Sequence, residues 1–213
     1  MLHQRVTVIA GAPPGDEDGG SPFSELQGPP PTVDGGPVRV LTLLKINDID
    51  VGDAAAVENH SLCTVSGWLH VEWSDPRVCR PSNARVTLGR AWRPDLRVLN
   101  SASEAAAPLI GDQTEALVLR HGWLLATVRV QCRVRVTKHD SGSHAVRLRL
   151  GSHLLTSEDV MFHPLDEAVD VTHLTGNDRF GARRTSLVAD TFQARHFGGE
   201  FVTFSSIVAT IVF

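Results

Sequence analysis

Gly67-Trp68-Leu69-His70-Val71-Glu72-Trp73-Ser74-Asp75-Pro76-Arg77 is the stretch on which the reading of this chain turns. In an extended strand, successive side chains point to opposite faces. Val65, Gly67, Leu69, Val71 and Trp73 then share one apolar face, and Trp68, His70 and Glu72 share the other. A strand with one apolar and one mixed face belongs to a sheet that buries one side and leaves the other open. Soon after come Trp92-Arg93-Pro94-Asp95 and Asn100, so three of the four tryptophans lie within 25 residues of one another in a chain without tyrosine. Pro94 fixes its own φ and removes a backbone donor, and Asp95 can cap the turn that begins there.

The same period of two recurs outward from this stretch. Val38, Val40, Thr42, Leu44 and Ile46 form one face of a preceding strand. Val128, Val130, Cys132, Val134 and Val136 alternate with Arg129, Gln131, Arg133 and Arg135, and Val146, Leu148 and Leu150 alternate with Arg147 and Arg149. His121-Gly122 reads as a turn. Leu187–His196 and Glu200–Phe213 read as a final strand pair joined through Gly198-Gly199. The one short helix expected is Ala102–Ala107. Many short strands separated by Gly, Asn, Asp and Ser breaks predict an all-β, immunoglobulin-like sandwich of about ten strands over 38–213. Residues 1–37 are rich in Gly, Pro and acids, bury too little apolar surface to offset their ordering, and are expected to be a flexible N-terminal segment in which Phe23 to Leu26 can dock as a turn.

A chain of 213 residues with a net charge of −4 and a pI of about 6.2 has no bulk attraction for nucleic acid or anionic lipid. It contains no apolar run long enough to span a bilayer. Three cysteines, Cys63, Cys79 and Cys132, fit either one disulfide with a free thiol or three buried thiols.

The order W-x4-W-x-D, carried by Trp68, Trp73 and Asp75, followed by W-R-P-D-L-x3-N, carried by Trp92, Pro94, Asp95 and Asn100, resembles the extracellular ligand-binding domain of the pentameric ligand-gated ion channels, the Cys-loop receptor superfamily and its prokaryotic relatives. The resemblance implies a homopentamer that binds a small ligand, cationic in many members, at subunit interfaces, and gates a pore absent from this chain. Trp68 takes the place of an aromatic on the complementary face of the agonist site; its alternative is packing on a neighbouring strand of its own subunit. Trp73, Asp75, Trp92, Pro94, Asp95 and Asn100 take the family's structural positions. The loop Arg195-His196-Phe197-Gly198-Gly199-Glu200-Phe201 takes the place of the principal-face lid, so that Phe197 and Phe201 are lid aromatics or hairpin aromatics packed on the sandwich end. Glu72 and Glu200 are the acids that could orient a charged ligand.

The sequence departs from the family in three places. Leu99 stands where an aromatic precedes the Asn. The Cys-loop is shortened to Thr137-Lys138-His139 and lacks both cysteines. The chain stops at Phe213, where the family's first membrane helix begins. The resemblance therefore implies either an excised channel domain, soluble as a fragment and placed at the extracellular or periplasmic face of the membrane in its full-length form, or a stand-alone binding module. A secreted sandwich hydrolase is the enzyme alternative. It rests on Glu104, Glu115, Asp159 and Asp166, among which nothing singles out a pair. No nucleophile elbow, P-loop or dinucleotide fingerprint is present, so no catalytic residue is expected. His139, Asp140, His144 and His121, the run Asp16-Glu17-Asp18, and the group Asp48, Asp50 and Asp53 all lack a metal-site spacing. No cofactor, metal or nucleic-acid partner is expected. The arginine rows read as solvated faces or as a surface for an anionic partner.

Overall fold

The computed structural model describes residues 28–32, 34–51, 61–79, 82–89, 91–102, 107–138, 143–174, 184–195 and 199–213. The expected N-terminal segment lies mostly outside them, as do Phe197, most of the expected helix, Asp53, Glu104 and the acids at 16–18. Ten strands are present among the described residues: β1 (Val38–Asp50), β2 (Leu62–Ser74), β3 (Ala84–Thr87), β4 (Arg97–Val98), β5 (Glu115–Val118), β6 (Trp123–Lys138), β7 (His144–Gly151), β8 (Val160–Pro164), β9 (Arg184–Arg195) and β10 (Phe201–Val212). The only helical pieces described are 3-10 turns at Pro76–Val78 and Arg120–Gly122. The fold is all-β, as the alternation predicts.

One continuous path of strands runs β8-β1-β2-β6-β7-β10-β9, with β5 and then β3 added beside β6, and β4 added beside β7. Strand β6 is what doubles this path into two layers. Trp123–Arg135 pair with the whole of β2, while Val136, Thr137 and Lys138 pair with β7. One layer is therefore β8-β1-β2-β6-β5-β3, and the other is β4-β7-β10-β9. Strand β8 runs parallel to β1, and the remaining pairs are antiparallel.

The core lies between the layers. Leu44, Ile46, Val65, Leu69, Val71, Trp73, Val130 and Val134 enter it from the first layer, and Leu148, Leu150, Leu187, Ile207, Ala209 and Ile211 from the second; all are fully buried. Each branched side chain buried in this way contributes about 1.5–3 kcal/mol. A polar tie crosses the same space: the buried Ser205 hydroxyl of β10 accepts the backbone N–H of Phe162 in β8 at 2.9 Å. The arginines of β6 sit on the open face, as expected.

Gly67 sits opposite Ile46 in the β1–β2 pair, and a Cβ there would run into the carbonyl oxygen of Lys45. Gly67→Ala is expected to lower stability by about 3 kcal/mol through that backbone clash, whereas Gly111→Ala, with open space around it, stays close to neutral. Urea denaturation of the two variants checks the contrast.

The cysteines form no disulfide; Cys63 and Cys132 are buried, and Cys79 is exposed. Neither sequence-based alternative is met in full, because Cys79 lies just past a 3-10 turn rather than on a buried strand face. Burial pushes the Cys63 thiol up to about 12, with Cys132 nearby adding to the effect, and burial pushes Cys132 up to about 11. Folding thus favours both protonated thiols. That stability is whole below about pH 9, where an unfolded thiol begins to ionise, and is lost as pH rises toward 11 to 12. Titration with an aromatic disulfide reagent at pH 8 is expected to modify one thiol in the native chain and three after denaturation.

Candidate functional site

A bulge in β1 lies beside a concavity on the open face of the first layer. Ile46 pairs with Gly67 and Asp48 with Ser66, which leaves Asn47 as the extra residue. The segment after β8 closes alongside the same place. The Ile46 N–H donates to the Asp170 carbonyl at 2.8 Å, and the Asp170 N–H donates to the Leu44 carbonyl at 2.9 Å. Asp170 in turn accepts from the backbone N–H and the hydroxyl of Thr172, at 2.9 and 2.6 Å, and lies 3.8 Å from the Lys45 ammonium. The Thr172 hydroxyl and amide hold the Asp170 carboxyl below its usual range, aided by the charges of Lys45 and His173.

These elements enclose a shallow cleft of about 600 Å³ lined by Lys45, Asn47, Trp68, His70, Thr127 and His173. Trp68 forms one wall and keeps 42% of its surface exposed. It faces away from the core within its own chain, as the alternation in β2 requires. One position along, His70 Nδ1 and the Thr127 hydroxyl are 2.8 Å apart. In register, Trp68 lies between Lys45 of β1 and Arg129 of β6, and His70 between Leu43 and Thr127. Glu72 stands two rows farther along β2, between Leu41 and Leu125, about 13 Å of strand from Trp68. It does not line the cleft.

The other expected ligand contacts lie on the second layer. Phe201 opens β10, is 69% exposed and pairs with Arg195; Glu200 precedes it and is exposed. They share an end of the layer with the turn between β7 and β8, because the Ser157 N–H donates to the Thr203 carbonyl at 2.9 Å. That turn presents Leu154, at 71% the most exposed large apolar side chain described. Within one protomer these groups and the Trp68 cleft belong to different layers.

The signature residues make a separate set of contacts. Trp73 fills the core, and its indole N–H has no hydrogen-bond partner. Asp75 is buried and grips Arg77 with both oxygens, each bond 2.8 Å, while Arg77 reaches the Gly28 carbonyl at 3.0 Å. Trp92 and Pro94 are buried. Asp95 accepts from Arg97 Nε at 2.7 Å and from the Ser152 hydroxyl at 3.1 Å, which ties its turn to the end of β7. Asn100 extends the edge of β7, donating to the Arg147 carbonyl and accepting from the Arg149 N–H, both at 2.8 Å.

Sequence reasoning did not single out Lys45, Asn47, His70, Thr127 or His173. The first four sit on strands whose alternation gives their face but not their neighbours, and only the bulge assembles them. Of the arginine rows, Arg149 pairs with Asp190 at 2.7 Å and lies over the Phe192 ring, whereas Arg129, Arg133 and Arg135 remain exposed. Among the described residues no group of three or more His, Cys, Asp or Glu side chains gathers as a metal site, and no helix is long and apolar enough to cross a membrane.

No protein-family model matches the sequence, and the search of curated proteins finds no match. Among solved structures, the chain is similar to the Capitella teleta acetylcholine-binding protein (AChBP) in complex with lobeline. The TM-score is 0.65 with 16% sequence identity, over 88% of each chain. The chain therefore has the fold of that binding protein along nearly its whole length.

Removal of the Asp95 carboxylate leaves the buried Ser152 hydroxyl without its acceptor and frees the turn before β4. Asp95→Ala is expected to cost about 2 kcal/mol, read as a lower denaturation midpoint with an unchanged slope.

Proposed function

We propose that this chain is the ligand-binding extracellular domain of a pentameric ligand-gated ion channel, taking a small molecule at the interfaces between subunits. The observation that carries the reading is the placement of Trp68: a large indole, 42% exposed, walls a cleft that is open on one side. Specific pockets bury most of a small ligand, so a cleft of this shape is half a site. The missing half must come from another surface. The exposed apolar groups at the end of the second layer, Leu154 and Phe201, are suited to supply it. A neighbouring copy that presented Leu154, Phe201 and the β9–β10 hairpin to Trp68 would complete an apolar box, and repetition of this head-to-tail contact closes a ring. Phe197 and Glu200 belong to that hairpin in this reading.

A ligand held between two subunits favours the arrangement that grips it most tightly and so shifts an existing equilibrium between arrangements. In the proposed channel that shift reaches the pore through segments outside this chain. Thr137 and Lys138, expected as a shortened loop, instead continue β6 in its pairing with β7, and with neither Cys-loop cysteine in the sequence the coupling route is unlike that of receptors with a full Cys-loop.

Light scattering is expected to give five times the chain mass of 23.1 kDa. Trp68→Cys combined with Phe201→Cys, in a Cys79→Ser background, is expected to yield a ladder of covalent oligomers with a short bismaleimide, and each single variant none. A monomer that never cross-links at any concentration would sink the interface reading.

A further inference from the structure

An exposed arginine, Arg129, flanks Trp68, and we infer that the ligand of this cleft presents an anionic group, a carboxylate or its equivalent, beside the indole face. This deepens the interface reading above and rests on it. An indole attracts cations through its ring face, so Trp68 alone points to an amine. Its surroundings reverse that preference. Directly across β1 lies Lys45, and directly across β6 lies Arg129. Cross-strand neighbours stand about 5 Å apart at Cβ, within easy reach of long side chains. A bound ammonium would meet the exposed guanidinium of Arg129 beside a lysine already offset by Asp170 at 3.8 Å, while a carboxylate would meet Arg129 as its opposite charge.

The polar lining agrees. His70 and His173 line the cleft with ring nitrogens that can donate. Where the Thr127 hydroxyl donates to His70 Nδ1, the His70 proton sits on Nε2 as a donor. Two acids stand near. Asp170 accepts two hydrogen bonds from Thr172 and faces Lys45 at 3.8 Å, so these two charges offset each other and Arg129 is the positive charge that remains beside the indole. Asp48 lies one row past Trp68, opposite Ser66. Glu72 is two rows away in the other direction, between leucines. Arg129 is exposed and has no carboxylate partner among the described residues, which leaves its fork available for a bidentate anion.

Three probes of one shape isolate charge from fit: phenylacetate, phenylacetamide and 2-phenylethylammonium, titrated calorimetrically into the full chain. Phenylacetate is expected to bind at least tenfold tighter than the amide, the ammonium weakest of the three, and phenylacetate affinity to fall with added salt. Arg129→Gln is expected to remove most of the advantage of the acid over the amide, weakening phenylacetate far more than phenylacetamide, and Lys45→Gln to act in the same direction. Trp68→Ala is expected to weaken all three. If the ammonium binds tightest, or the acid and amide bind alike, the anionic assignment is overturned, while loss of binding in Trp68→Ala still upholds the site. If none of the three binds, both the site and its charge preference fall.

Discussion

The pairing of β2 with β6 along the full length of β2 is the constraint on which the rest depends. It sets which residues of two central strands face the core, and a slip of one residue would exchange the faces wholesale. Trp73, Val71, Leu69 and Val65 would then meet water, and Trp68, His70 and Arg129 would be driven into a space packed by Leu148, Leu150 and Ile207. Burying an unpaired guanidinium costs far more than the neighbouring ladder could return. The alternation of valines with arginines in β6 is therefore a register lock as well as a core pattern. The same strand, by passing its last residues to β7, makes two layers from one path of strands. Core, layers and the outward position of Trp68 follow from this single pairing.

Much of this was legible in the sequence because period-two patterns survive wherever one face is buried. The strands at Val38, Val128, Val146 and the final pair all appear close to where alternation places them. The short strands β3, β4, β5 and β8 were not legible. Strands of two to five residues are too brief to establish a period, and β8 exists because β1 offers it a free parallel edge. The face of Trp68 could be read from its own strand. Its neighbours could not, because the cleft depends on an extra residue at Asn47 and on the return of the chain at Asp170, which are contacts of high sequence separation. Gly67 was a partial signal: a glycine within an otherwise apolar strand face often marks a bulge or a close backbone approach, and here it marks both.

The tryptophans divide between enclosed and outward-facing positions according to the same geometry. Trp73 and Trp92 are enclosed, and each is followed by an aspartate, Asp75 and Asp95, whose oxygens anchor an arginine two residues on. The repeated use of aromatic core, turn and acid–arginine clasp explains why these positions resemble a family signature so closely. They define how strands leave the core at two corners of the sandwich. Such corners carry shape rather than binding chemistry, and a chain can keep them while its ligand changes.

The proposed ligand chemistry depends instead on the open face, where substitution perturbs no core. Around Trp68 the chain places a lysine and an arginine in direct cross-strand positions, two histidines at the cleft wall, and an aspartate turned to internal bonds. The interaction of two charges at about 5 Å near a surface amounts to several kcal/mol at an effective dielectric of about 20. That exceeds the roughly 0.5–2 kcal/mol that an indole offers a cation. In the proposed site the balance therefore rests on the exposed Arg129 rather than on the aromatic ring, whose remaining contribution is an apolar wall for whatever hydrocarbon or aromatic body carries the charge.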